Sequence, residues 1–519
     1  MMPSIRKILI ANRGEIAVRI MRTCREMGIQ TVAVYSDADS AMPHVTIADE
    51  AYHIGPSPSR ESYLSMDKVL DVARQSRADA IHPGYGFLSE NAEFARRTEA
   101  EGFIFIGPTP EAIEAMGDKT EARRIVGASG VPVVPGTPGA VSSVSDAESF
   151  CEAHGFPVLL KAAAGGGGKG MRVVHEQKEL ARAFSSAQSE ARSAFGDARV
   201  YVEKYLTKPR HVEFQIVADA YGSTIHLGER ECSIQRRHQK IIEEAPSVLL
   251  DDSLRARMGE TAVNAARSCG YRNAGTIEFL MDADKNFYFL EMNTRLQVEH
   301  AVTETITGLD LVALQVRVAM GERLPFGQSD VSFRGHAIEC RISAEDLTNN
   351  FLPSTGTISH LRPSCGHGVR DDRGVEQGGE ISVYYDPMIA KLIVWGATRT
   401  ETIERMKRAL HEYEILGVKT NIPGCLFVMS HPRFVSGDFD THFIPTFFSP
   451  DLLPPPREEK KQAAAVLCAH LAHQARQSSS LQTHDQLGDG KRMSELLPGS
   501  SNGNLGAWKR QRHDLMRSS

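Results

Sequence analysis

The chain has 519 residues, 41% of them hydrophobic, with 59 lysines and arginines against 65 aspartates and glutamates and a formal net charge of −6. That balance argues against nucleic acid as a partner, the composition is that of an α/β globular protein long enough for about three domains, and no run approaches the ~20 apolar residues of a membrane span. The eight cysteines form no Cys-x-x-Cys pair, which argues against zinc and a disulfide framework and for a reducing, cytoplasmic compartment.

The N-terminus reads as strand rather than as a signal or transit peptide. Ile8-Leu-Ile-Ala-Asn-Arg-Gly14 is a strand leading into a helix. A single glycine stands where a dinucleotide fingerprint needs three. In that helix Ile16, Ile20, Met21, Cys24 and Met27 recur at helical spacing before Gly28 stops it, so these side chains are core and Cys24 is inert. Further strands at Thr31 to Tyr35 and Gly102 to Gly107 alternate with helices, which predicts a parallel-sheet domain over 1–115.

Pro157 to Val174 places two β-rich runs around Gly165-Gly-Gly-Gly168. Glycines let backbone amides approach phosphate oxygens, and Lys161 and Lys169 add positive charge. Alone, such a loop is more often a flexible turn, and Gly170 and Met171 after Lys169 exclude a P-loop. His211, in Pro209-Arg-His-Val-Glu213, opens a strand and reads equally as a nucleotide contact or a satisfied structural histidine. The charged run Glu229 to Lys240, taken by itself, reads as a solvated loop, and nothing in it gives Cys232 a chemical part.

Gly275 to Met281 and Phe287 to Asn293 are strand-like runs joined by the turn-forming Asp282-Ala-Asp-Lys-Asn286, a hairpin that brings Glu278 to within about one register step of Glu291. Two facing carboxylates repel unless a cation sits between them, and oxygen-only ligands point to magnesium or manganese with nucleotide phosphates. Period-two alternation puts Phe289, Glu291 and Asn293 on one face and Tyr288, Leu290 and Met292 on the other. If the chain stays extended, Arg295, Gln297 and Glu299 continue the polar face and offer a cation, an amide and a base to one small anion.

Together these stretches resemble the biotin carboxylase component of biotin-dependent carboxylases, within the ATP-grasp superfamily. The resemblance is carried by Ile10-Ala-Asn-Arg-Gly-Glu-Ile16, His82-Pro-Gly-Tyr-Gly-Phe-Leu-Ser-Glu-Asn91, Gly117-Asp-Lys119, the glycine loop, Glu203-Lys-Tyr-Leu206, Gln235-Arg-Arg-His-Gln-Lys240, Glu291 through His300 and Glu339-Cys-Arg341. It implies an α/β fold: an N-terminal parallel-sheet domain over 1–115, an ATP-grasp domain over 116–334 with a mobile lid near 132–205, and a C-terminal α+β domain over 335–447.

The resemblance also implies roles. Lys119, Lys161, Gly165, Gly166, Gly167 and Gly168 would meet ATP phosphates, while Glu203, Lys204, Leu206, Gln235 and His238 would hold adenine and ribose. Glu278, Glu291 and Asn293 would hold two magnesium or manganese ions. Arg295, Gln297 and Val298 would bind bicarbonate, with Glu299 as general base and Lys240 beside the phosphoryl intermediate. Arg341 would face the biotin ureido oxygen, and Tyr85 and Gly86 would line the biotin side. A homodimer is implied as well.

Carrier domains of this family hold biotin on a lysine in a Met-Lys-Met setting. Here the only Met-Lys is Met406-Lys407, so a biotin carboxyl carrier protein and a carboxyltransferase are expected on other chains. After Pro450 the composition shifts to a tail over 448–519. Within it Gln462 to Gln477 has helical spacing, Ser478 to Asn504 looks disordered, and Ala507 to Arg512 is a candidate anchor for a partner. Two other readings stand beside it: an ATP-grasp ligase joining a carboxylate to an amine, which would use the same nucleotide and metal residues, and a non-catalytic scaffold subunit that kept the fold.

Overall fold

A computed structural model of the chain describes residues 4–453 except 142, 163–170 and 238, and beyond them only 466, 468–470 and 473. It divides into two units, 1–453 and 454–519. In the second, the five described positions are helical; the rest of the expected helix, the Ser-rich stretch and the Trp508 segment lie outside the described residues.

The first unit opens with five parallel strands: β1 (Lys7–Ile10), β2 (Gln30–Tyr35), β3 (Glu50–His53), β4 (Ala80–His82) and β5 (Ile104–Phe105), in the order β3-β2-β1-β4-β5. Both faces of this sheet are covered, as parallel sheets require. Ile8 and Ile10 feed one apolar cluster together with Ile16, Ile20, Met21 and Cys24 of helix α1 (Gly14–Glu26), and Leu9 feeds the other. Helix α1 ends where Gly28 adopts φ +72°, a conformation glycine takes without a Cβ clash. Strand β5 is shorter than the Gly102 to Gly107 run suggested, because only Ala80 and Ile81 of β4 pair with it. Burial pushes the Cys24 thiol up to about 12, so it stays protonated and unreactive.

Strands β6 (Val158–Ala162), β7 (Met171–Val174) and β8 (Val200–Lys204) form a small antiparallel sheet in the order β7-β6-β8. Helices Val144–His154 and Gln177–Phe195 pack on it through Phe150, Leu180 and Phe184.

The largest sheet has eight antiparallel strands. It contains β9 (Arg210–Ala218), β10 (Thr224–Arg236), β11 (Gln239–Ala245), β12 (Asn273–Met281), β13 (Phe287–Asn293) and β14 (His336–Ser343), then Met388–Gly396 and Val369–Arg373. Their spatial order is β13-β12-β9-β10-β11-β14, followed by Met388–Gly396 and Val369–Arg373.

Two sequence expectations are corrected here. The charged run from Glu229 is no solvated loop: Glu229, Arg230, Glu231 and Ser233 lie buried on β10, because Arg210 and Glu213 of β9, Ser247, and Arg255 of helix Asp252–Ser268 supply partners for their charges. The second concerns β13. Glu278 pairs with Glu291 but Phe279 pairs with Phe289, so Leu290 is an extra residue, a β-bulge. Alternation is reset there. Phe289 turns into the apolar core with Met292, Phe287, Ile277 and Phe214, and leaves the face that carries Glu291.

Candidate active site

On β9, His211, Glu213 and Gln215 alternate with Val212, Phe214 and Ile216, which enter the core. Glu213 faces Arg230 of β10 on one side and Glu278 of β12 on the other, and Glu278 faces Glu291 of β13. Four adjacent strands thus present one charged row, because side chains at paired positions lie on the same face.

Arg230, fully buried, holds the row together. Its Nε donates to Glu213, its Nη1 to Gln215 Oε1 at 2.8 Å and Thr303 Oγ1 at 3.0 Å, and its Nη2 to Thr276 Oγ1 at 3.0 Å and Gln297 Oε1 at 2.6 Å. Every guanidinium N–H is satisfied, the condition for tolerating a buried cation.

Strand β13 does not continue through Arg295, Gln297 and Glu299. It ends at Asn293, and the chain turns at Val298 and Glu299 into helix His300–Thr307. The turn folds the polar residues back over the row, so they converge although they do not share a strand face. Gln297 Nε2 donates to Glu278 Oε1 at 2.7 Å, and Arg295 bonds Glu90 Oε2 at 2.9 Å and Asn293 Oδ1 at 3.0 Å. Lys240 Nζ reaches Glu213, Glu278 at 2.9 Å and Glu299 at 2.6 Å. Arg341 bridges Glu299 Oε2 at 3.0 Å and Glu243 Oε1 at 2.7 Å.

The electrostatics follow from this packing. Burial works against ionisation of Glu299, but Lys240, Arg341 and Arg230 outweigh it and hold the carboxyl well below the usual range. Glu278 is held low in the same way, burial being overcome by Lys240 and His211. His211 lies 3.0 Å from Glu278, and that charge raises it against the effect of its own burial.

Adjacent residues on β11 diverge. Burial lifts Glu243, on the Arg341 side, to about 7 with Arg341 opposing, whereas Glu244 is brought down to about 2 because His336 and Arg399 overcome burial. Glu244 therefore stabilises the fold above its unfolded pKa near 4.5, and that contribution is lost as pH falls toward about 2. The unfolding free energy of the native chain should lose its advantage over Glu244→Gln, roughly 3 kcal/mol, between pH 6 and pH 2. Denaturant titrations at several pH values check this.

Lys119 lies 3.4 Å from Glu291, and Lys161 and Arg123 both pair with Glu203. Lys204 donates its ammonium to the carbonyls of His154, Gly155 and Phe156 at 3.0–3.1 Å. Gln235 is buried on β10 and Leu206 is half-buried. Gly165, Gly166, Gly167, Gly168 and His238 lie outside the described residues. Tyr85, Gly86, Lys240, Arg295, Val298 and Arg341 line one cleft of about 540 Å³.

The residues fit a hard divalent cation. Glu278 is an ionised carboxylate drawing hydrogen bonds from Lys240, Asn293 and Gln297, and Glu291 faces it with a side chain still one-third exposed. Such oxygen donors beside a nucleotide suit magnesium or manganese.

Sequence reasoning passed over Glu213, Arg230, Glu90, Arg123 and Glu243. The period-two His211, Glu213, Gln215 pattern inside an apolar strand was the available signal for the first; Arg230 and Glu90 fall inside stretches that stand out in the sequence, but their partners, like those of Arg123 and Glu243, lie more than ten residues away.

Three family profiles match: biotin carboxylase N-terminal domain over 4–113, carbamoyl-phosphate synthase L chain ATP binding domain over 118–326, and biotin carboxylase C-terminal domain over 339–446. A pyruvate carboxylase subunit from Methanothermobacter thermautotrophicus is 56% identical over 439 residues, 84% of this chain and 89% of that one. Biotin carboxylase 1 of Bacillus subtilis is 53% identical over 444 residues, 85% of this chain and 99% of that one. The chain belongs to the biotin carboxylase family.

As a biotin carboxylase it is an ATP-dependent ligase that carboxylates biotin. Its fold is accordingly the ATP-grasp one. A biotin carboxylase from Campylobacter jejuni, solved as a βγ-ATP complex, superposes with a TM-score of 0.83 at 48% identity, covering 85% of this chain and 99% of that one. The biotin carboxylase domain dimer of Hydrogenobacter thermophilus 2-oxoglutarate carboxylase, solved with MgADP, ADP and bicarbonate, gives 0.83 at 48%, covering 88% and 100%. Among the described residues no helix is long and apolar enough to cross a membrane.

Proposed function

We propose that this biotin carboxylase activates bicarbonate with ATP and transfers the carboxyl group to N1 of biotin carried on a separate protein. The observation that carries the reading is the convergence of Lys240, Arg341 and Arg295 on one cleft, with Glu299 held beneath it by Lys240 and Arg341 as an ionised carboxylate. In this reading Arg295, Gln297 and the backbone of Val298 hold bicarbonate, and Glu299 takes its proton. The resulting oxyanion attacks the γ-phosphate, giving carboxyphosphate and ADP, with Lys119, Lys161 and Lys240 neutralising charge as it moves.

Magnesium or manganese held by Glu278, Glu291 and Asn293 supplies further neutralisation of phosphate charge when bound. Carboxyphosphate breaks to carbon dioxide and phosphate, the phosphate deprotonates N1 of biotin, and Arg341 stabilises charge on the ureido oxygen while that nitrogen captures carbon dioxide. Tyr85 and Gly86 flank the biotin. Glu203, Lys204, Leu206, Gln235, His211 and His238 serve the nucleoside, and Gly165 to Gly168 serve its phosphates. On this reading Glu203 must exchange its Lys161 and Arg123 partners when ATP arrives.

Arg341→Ala should uncouple the halves: bicarbonate-dependent ADP release persists within a few-fold while carboxybiotin formation falls about 10²–10³-fold. Paired ADP and carboxybiotin assays on the same samples read this out.

A carrier on another chain is supported by the position of Met406-Lys407, which lies inside helix Arg399–Glu412. The reading includes a carboxyltransferase partner, a homodimer and a cytoplasmic location, the last supported by cysteines that are all free. The final acceptor is chosen by the partner; relatives include pyruvate and propionyl-CoA carboxylase chains. The test is ADP release with ATP, magnesium and bicarbonate, with and without free biotin. Bicarbonate-dependent turnover that biotin raises supports the reading, and turnover indifferent to both sinks it in favour of another carboxylate–amine ligase.

A further inference from the structure

Beneath the cleft lies a buried chain of contacts that the reaction scheme does not use. Lys391, on strand Met388–Gly396, is fully buried, and its Nζ donates to the carbonyl oxygen of Val298 at 2.8 Å. The same Nζ lies 3.2 Å from Glu15 Oε1, in the first turn of α1, and that oxygen also accepts the hydroxyl of Tyr85. Glu15 is itself buried.

These contacts therefore begin at the loop that lines the biotin side of the cleft and end on the backbone of the turn proposed to hold bicarbonate. The three side chains come from segments far apart in sequence, and the docking is tight. A Cβ on Gly374 would come within 2.3 Å of the Glu15 backbone nitrogen, so only glycine there lets α1 approach the sheet this closely.

We propose that Lys391 and Glu15 are positioning residues: Lys391 fixes the Val298 carbonyl and with it the turn Arg295 to Glu299, and Glu15 ties that turn to Tyr85, so the bicarbonate and biotin sides hold one register. This rests on the proposed function. A buried ammonium is costly unless paired, and here its contacts are a carboxylate and one backbone carbonyl of the site. Deleting it frees the turn to rotate by the small distance that upsets anion binding without touching the nucleotide pocket. Burial pushes the Glu15 carboxyl up, and Lys391 opposes that without overcoming it.

Steady-state kinetics of the full chain test it. Lys391→Met should raise the KM for bicarbonate about tenfold or more and leave the KM for ATP within about twofold, a split that general loosening of the fold does not produce. Should that variant fail to fold, Glu15→Gln, of the same size, should raise both bicarbonate and biotin KM several-fold with ATP KM unchanged. A folded variant with unchanged bicarbonate KM, or with all three constants worsened alike, overturns the positioning role. If the native chain itself releases no ADP in response to bicarbonate, the functional reading fails first and the proposal with it.

Discussion

Glu299→Gln should lower bicarbonate-dependent ADP release by about 10³-fold while the protein folds and binds ATP as before. Glutamine keeps the size and one acceptor oxygen of the side chain, so the contacts to Lys240 and Arg341 weaken without a cavity, but it cannot take a proton at any working pH. General-base losses commonly cost about 10²–10⁴-fold, and no other carboxylate replaces it: Glu213 and Glu278 are already engaged by Lys240, Arg230 and Gln297. The depressed titration of Glu299 adds a second expectation. The group stays ionised at neutral pH, so kcat/KM for bicarbonate should show no inflection from it between pH 5 and 8. To act as a base it must gain basicity when substrate arrives, and the way open to it is for Lys240 and Arg341 to turn toward the new anion. Residual turnover of the glutamine variant above a tenth of native would place the base elsewhere.

Arg230→Met should destabilise the chain by about 3–5 kcal/mol, with the measurement made by chemical unfolding in the absence of ligands. Methionine fills much of the volume, yet five hydrogen bonds disappear at once, and Glu213, Gln215, Thr276, Thr303 and Gln297 each lose a donor in a region with no solvent. Lys240 still neutralises Glu213, which sets the upper limit. Activity should fall as well, because Gln297 loses the contact that orients its amide. A cost below about 1 kcal/mol would mean that the row relaxes around the loss and that Arg230 is not its organiser.

Much of this architecture was legible along the chain. The apolar helical spacing from Ile16 to Met27 identified α1 and its buried face, and Gly28 identified its end. The turn at Asp282 to Asn286 was enough to bring Glu278 within about one register step of Glu291, and the bulge at Leu290 makes the pairing direct. Where alternation was carried past its support it misled: the bulge at Leu290 moved Phe289 into the core, and the chain left the strand after Asn293. A bulge depends on how a neighbouring strand is packed, and sequence spacing holds no record of it.

By itself the sequence determined the elements, the hairpin and the families of side chain brought to the cleft, because helix and strand periodicities and turn chemistry act over a few residues. Only the tertiary structure decided which charges meet. Glu90 reaches Arg295 across 205 positions and Lys391 reaches Val298 across 93, and the buried run from Glu229 to Ser233 is tolerable only because Arg210, Glu213, Ser247 and Arg255 complete it. Desolvation makes an unpaired charge costly wherever it is buried, so the set of partners is fixed by the closing of the whole sheet and not by any segment of it.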